Sequence, residues 1–148
     1  MNRMKLTFLA RSENEVFARN VVAAFALPLN PTLSELSDVK TAVSEAVTNC
    51  IVHAYPDGKE DERWVTVECS TEEDRLHIIV SDSGKGIEDI ARALTPFYTS
   101  CPGEERSGMG FTIMQTFMNE FHVTSEPGHG TRVEMTKCFG GTAEAYAR

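Results

Sequence analysis

Basic residues are scarce in this 148-residue chain: 14 Lys and Arg stand against 22 Asp and Glu, a net charge of −8. A surface that tracks nucleic-acid phosphates has to be basic, so direct nucleic-acid binding is not expected, and an anionic membrane surface is disfavoured for the same reason. Long apolar runs are also missing. The longest near-apolar stretch, Val21–Leu29, is too short to cross a bilayer and is broken by Pro28. The first fifteen residues offer no apolar segment of the kind a secretory signal needs. Cysteine occurs only at 50, 69, 101 and 138, with no CxxC pair and too scattered for a zinc site. Cys50 and Cys69 fall inside apolar patterns, which favours reduced thiols in a cytoplasmic protein over disulfides. No internal repeat or low-complexity tract is present. What remains is one globular domain's length with 41% hydrophobic residues, enough for one core.

Hydrophobic periodicity orders the chain. Leu6 and Phe8 alternate with Lys5 and Thr7, which predicts a strand over Met4–Ala10. Ser12-Glu13-Asn14-Glu15 has the spacing of a capping box, followed by Val16, Phe17, Val21, Ala24 and Phe25 at helical spacing. Thr32-Leu33-Ser34-Glu35 is a second capping box, opening a long helix expected from Leu33 to Ala54. On that helix Glu45, Asn49 and His53 form a polar stripe apart from the apolar arc through Val39, Val43, Ala46 and Val47. Val65, Val67 and Cys69, then Leu76, Ile78 and Val80, alternate with polar residues as one hairpin. A short helix is expected over Ile87–Leu94, a mobile loop from Pro96 to Gly108 and a helix over Phe111–Glu120. Phe121, Val123, Val133 and Met135 then form a last hairpin. Residues 1–137 are expected to be one domain and 138–148 a flexible tail. Strands arriving in hairpins imply a mixed, mainly antiparallel sheet with helices on one face, a two-layer α/β sandwich.

Four short motifs bear on chemistry, and each has a plain reading beside the functional one. Asp82-Ser83-Gly84-Lys85-Gly86 follows a strand. It is a polar turn, or a place where backbone approaches a flat ligand while Asp82 accepts from an exocyclic amine. Ser107-Gly108-Met109-Gly110 precedes a helix. It is a flexible loop end, or a set of amides aimed at an anion with the helix dipole behind them. It is not a P-loop, because no Lys follows. Glu45 and Asn49, one turn apart, are a solvated pair, or a base beside a Mg²⁺ ligand. Gly128-His129-Gly130-Thr131 is a hairpin turn, or one whose Thr131 hydroxyl faces a ligand.

In this order the motifs resemble the nucleotide-binding boxes of the GHKL superfamily, which includes gyrase, Hsp90-type chaperones and histidine kinases. The resemblance spans residues 4 to 137. Ser44-Glu45-Ala46-Val47-Thr48-Asn49, His53-Ala54-Tyr55 and Glu105 through Met114 are similar to the anti-sigma serine kinases of that superfamily. The N-terminal Ala10 to Arg19 segment is similar to theirs as well.

The resemblance implies the Bergerat type of ATP-binding sandwich, binding ATP or ADP with Mg²⁺. In it Asp82 holds the adenine amino group, Gly84 and Gly86 let backbone lie against the base, and Thr131 supports the pocket. Asn49 ligates Mg²⁺, and Glu45 is the general base. Gly108 and Gly110, with Ser107 and Met109 between and beside them, shape the phosphate cradle, and Arg106 reaches the terminal phosphates. Glu15 and Arg19, four apart on the first helix, present partner contacts. The implied partners are a sporulation sigma factor of the sigma-F type and a small anti-anti-sigma protein of the SpoIIAA type, with the chain a homodimer. Two other readings stand beside this one. A histidine-kinase ATPase half would need a phospho-accepting His on a helix pair, for which there is no room before Met4. A non-catalytic, nucleotide-gated sigma-binding module would share the pocket without transfer.

Overall fold

A computed structural model describes residues 1–56, 62–94 and 110–140. The order is β1 (Asn2–Leu9), α1 (Ser12–Ala26), a 3-10 turn (Leu27–Leu29), α2 (Leu33–Asn49), a π turn (Cys50–Ala54), β2 (Trp64–Glu72), β3 (Arg75–Asp82), α3 (Ile90–Ala93), α4 (Gly110–Phe117), β4 (Glu120–Glu126) and β5 (Gly130–Cys138). The sheet runs β1-β2-β3-β5-β4, and every pairing is antiparallel. This is the expected two-layer α/β sandwich, with the mixed element of the sheet absent among the described strands.

The second capping box forms as expected. The Thr32 hydroxyl accepts from the Glu35 N–H at 3.0 Å, and the Glu35 carboxylate accepts from the Thr32 N–H at 2.8 Å. The first does not. α1 starts at Ser12 itself, its N-cap is Arg11 with no side-chain cap bond, and Asn14 Nδ2 donates back to the Leu9 carbonyl at 2.9 Å. With Arg11 at the N-cap, Ser12 is already inside the first turn, where its hydroxyl is not placed to cap it.

Alternate residues of the strands face the helices. Val65, Val67 and Cys69 of β2, Leu76, Ile78 and Val80 of β3, and Val133 and Met135 of β5 pack with Val39, Ala42, Val43, Ala46 and Val47 of α2. A fully buried Val contributes about 1.5–3 kcal/mol relative to exposure, so this seam fixes where α2 lies. The last strand continues to Cys138, and Phe139 is buried with its N–H on the Asp74 carbonyl at 2.8 Å. The expected tail from 138 is thus corrected at its first two residues: the body of the fold holds both, because Phe139 completes the core. Residues 141–148 and the expected mobile loop from 96 to 108 lie outside the described residues. Among the described residues no helix is long and apolar enough to cross a membrane. Cys50, Cys69 and Cys138 are free thiols.

Candidate functional site

The strand register carries the core rows into a polar one. Val67, Val80, Val133 and Val123 stand side by side across β2, β3, β5 and β4, and all are buried. Two residues further along, the same face presents Val65, Asp82, Thr131 and Ser125. Alternation therefore places a carboxylate and two hydroxyls on the helix-facing side at one end of the core. The Asp82 Oδ1 accepts from the Gly84 N–H at 2.9 Å. The carboxylate also takes hydrogen bonds from the Cys50 thiol and the Thr131 backbone. Burial pushes the Asp82 carboxyl above its ordinary value despite these donors, and pushes the Cys50 thiol well up, so the thiol stays protonated and donates.

The loop after Asp82 is clamped on both sides. Lys85 N–H donates to the Ala54 carbonyl at 2.7 Å, tying it to the π turn. Gly128 N–H donates to the Lys85 carbonyl at 2.7 Å, and Ile87 N–H to Ser125 Oγ at 2.7 Å, tying it to the β4–β5 hairpin. A Cβ at Gly84 would lie 2.2 Å from the Ala54 carbonyl oxygen. One at Gly86, where φ is +75°, would lie 2.3 Å from that of Glu126. The close approach that these glycines permit in this structure is to protein backbone. Tyr55 adds a further tie: its hydroxyl donates to the Trp64 carbonyl at 2.6 Å and accepts from the Ser83 N–H at 2.8 Å.

Glu45 and Asn49 stand on the last turns of α2, facing the start of α4. A Cβ built at Gly110 would meet Asn49 Nδ2 at 3.1 Å and Glu45 Oε2 at 3.3 Å. A side chain there would crowd both, so glycine keeps the helix N-terminus open to a carboxylate and an amide one turn apart. His53 sits half-buried in the π turn, whose wider winding ends the strict spacing of the Glu45–Asn49 stripe.

Of the expected site residues, the structure gathers Asp82, Gly84, Gly86 and Thr131 into one cluster, and Glu45, Asn49 and Gly110 into a second. The π turn that directly follows Asn49 brings Cys50 onto Asp82 and so joins the two. Arg106, Ser107, Gly108 and Met109 lie outside the described residues. Glu15 and Arg19 belong to neither cluster. They form an ion pair at 3.1 Å on α1, and the Ser44 hydroxyl donates to the same Glu15 carboxylate. Cys50, Tyr55 and Ser125 were not expected. Cys50 is visible in retrospect as the neighbour of Asn49, and Ser125 as a polar residue on an otherwise inward-facing alternation. Nothing in sequence places Tyr55 on the Ser83 amide. No group of three or more His, Cys, Asp or Glu side chains gathers as a metal cage among the described residues. Mg²⁺ held largely by phosphates needs only one or two protein ligands.

The family model of the histidine kinase-like ATPase domain matches residues 8–137, and the chain belongs to that family. Within it the chain is similar to proteins named anti-sigma F factor. The one from Caldanaerobacter subterraneus subsp. tengcongensis is 54% identical over 139 residues, covering 94% of this chain and 95% of that protein. The one from Clostridium acetobutylicum is 55% identical over 139 residues, covering 93% and 94%. Among solved structures, the RsbU and RsbW domains of a Mycobacterium tuberculosis protein superpose with a TM-score of 0.68 at 15% identity, over 94% of this chain and 33% of that one. A mycobacterial sensor histidine kinase, MprB, gives a TM-score of 0.53 at 22% identity, over 70% and 72%. The resemblance seen in the motifs is thereby borne out for family and fold.

Proposed function

We propose that this chain is a cytoplasmic, Mg-ATP-dependent protein serine kinase that also acts as an anti-sigma factor. It captures a sporulation sigma factor of the sigma-F type and phosphorylates a serine of a SpoIIAA-type anti-anti-sigma protein, working as a homodimer. The observation that carries the nucleotide reading is Asp82: a half-buried carboxylate, aligned with Thr131, at the end of a strand face whose preceding residues, Leu76, Ile78 and Val80, are apolar and buried. A carboxylate placed there without function costs desolvation; a ligand amine repays it. The relatives' name supports the sigma-factor reading.

The residues present fit ATP and Mg²⁺. Asp82 accepts from the adenine amine beside Thr131. Asn49 would be the protein ligand to Mg²⁺, which would neutralise phosphate charge, and ATP would supply the transferable phosphoryl group. Glu45, one turn before Asn49, takes the proton from the incoming serine hydroxyl. Gly110 opens α4 toward both. Arg106, Ser107, Gly108 and Met109 lie outside the described residues, and it is the family resemblance that proposes them for the phosphates. In phosphoryl transfer such positioning and charge neutralisation account for nearly all of the catalysis. On α1, Glu15 and Arg19 offer the partner surface. The test is direct: incubate the protein with ATP, Mg²⁺ and the anti-anti-sigma protein, and look for phosphoserine by mass spectrometry. Sigma capture with ADP or ATP but no phosphoserine would leave a nucleotide-gated binding module instead.

A further inference from the structure

The hydroxyl of Ser125 is fully committed. It has one proton and two acceptor positions. The Gly130 carbonyl, 2.9 Å away, can only accept. The Ile87 N–H, 2.7 Å away, can only donate. The third partner, Thr131 Oγ1 at 2.9 Å, can do either. With the serine proton on the Gly130 carbonyl and one lone pair on the Ile87 amide, the remaining position must accept from Thr131. The Thr131 hydroxyl therefore spends its proton on Ser125 and keeps only lone pairs for anything else. Thr131 is the direct cross-strand neighbour of Asp82, on the same face of the sheet.

We infer that Ser125 is a positioning residue for base specificity: by taking up the Thr131 proton it makes Asp82 and Thr131 an acceptor-only edge, which selects a purine carrying an exocyclic amino group over one carrying an oxo group. This rests on the nucleotide-binding reading above and names what sets its selectivity. Two acceptors side by side attract a donor and repel the lone pairs of an oxo group. Without Ser125, Thr131 regains a free proton and can offer it to that oxo group.

The experiment measures ADP and IDP binding by calorimetry to the full chain, wild type and variants, with thermal melting as a check of folding. Wild type is expected to prefer ADP. Ser125→Ala also loses the bond to the Ile87 amide, so both nucleotides bind more weakly, but the ADP-to-IDP ratio narrows by roughly 3- to 10-fold, the worth of one hydrogen bond. Ser125→Thr keeps the hydroxyl and restores the wild-type ratio. Ser125→Cys, with nearly the same shape but a poor acceptor, narrows the ratio and serves if the alanine variant does not fold. An unchanged ratio in Ser125→Ala or Ser125→Cys, with both nucleotides weakened alike or not at all, overturns the inference and leaves Ser125 a purely structural clamp. Wild type that binds ADP and IDP equally overturns the inference while the nucleotide reading stands, and wild type that binds no ADP overturns the nucleotide reading itself.

Discussion

At Asp82, burial raises the carboxyl's pKa, and the Gly84 amide, the Cys50 thiol and the Thr131 backbone only partly offset it. The folded pKa lies above the unfolded one. Its contribution to the stability of the ligand-free protein is therefore fully present below the unfolded pKa and is lost as pH rises through the raised folded value. Nucleotide binding has the opposite sign, because the ionised carboxylate is the better acceptor for an amine. ADP affinity is expected to fall as the pH drops through the raised pKa, so the acid limb lies above the ordinary range of an aspartate. Asp82→Asn should remove that limb and weaken ADP by about 1–3 kcal/mol. Calorimetry across pH checks both; wild-type affinity in Asp82→Asn would remove this residue from the pocket. Gly130 is constrained more simply. Its φ is +98°, and a Cβ there would lie 2.0 Å from the Asp82 carbonyl oxygen. Gly130→Ala should displace β5 from β3 at the end that carries Asp82 and Thr131. It is expected to cost at least about 1–3 kcal/mol, read as a lower urea midpoint, with ADP affinity lost alongside.

The helix α2 serves as the rail of the site. Its N-terminus is fixed by the Thr32–Glu35 box, its middle by the valine seam, and its C-terminal turns deliver Glu45 and Asn49. Thr32→Ala should cost about 0.5–2 kcal/mol in chemical denaturation and leave ADP affinity unchanged, because the seam and not the cap sets the far end. That box was legible in sequence, since both its bonds are local. The Ser12 segment has the same spacing of Ser or Thr to Glu, but the helix begins at Ser12 itself, one residue too early for that side chain to cap it. The hairpins of β2–β3 and β4–β5 were legible from strict alternation, and so was the Glu45–Asn49 face. The π turn was not: helical spacing continues through it, and the tie that holds its end, the Lys85 N–H on the Ala54 carbonyl, is 31 residues away in sequence. The expected tail from 138 missed that a single aromatic, Phe139, is buried in the core. Ser125 and Tyr55 act across strands and loops distant in sequence, so no local pattern announces them.

Across the whole molecule, the proposed partner surface and the proposed base are joined by one hydrogen bond. Glu15 of α1 accepts from Arg19 and from Ser44, the residue before Glu45. The Arg19 guanidinium is partly exposed, so its ion pair contributes about 0–1 kcal/mol and the fold does not depend on it. Arg19→Ala should keep its melting temperature and ADP affinity while losing sigma capture on a column; unchanged capture would make this face merely solvated. The chemistry is separated by the two α2 residues. A positioned general base contributes about 10²–10⁴-fold, so Glu45→Ala should lose serine phosphorylation by that order while still binding ADP and retaining sigma factor. Asn49→Ala should lose Mg²⁺-dependent ATP binding and, with it, both transfer and ATP-dependent capture. The two variants differ by one turn of one helix and both side chains meet Gly110, so misfolding of the site would damage them alike. Radiolabel transfer to the anti-anti-sigma protein and sigma retention, run on each, give opposite patterns for Glu45→Ala and matching losses for Asn49→Ala. Full transfer in Glu45→Ala would remove it as the base, and equal loss of capture in both would mean that α2 acts on the sigma surface as one rigid piece.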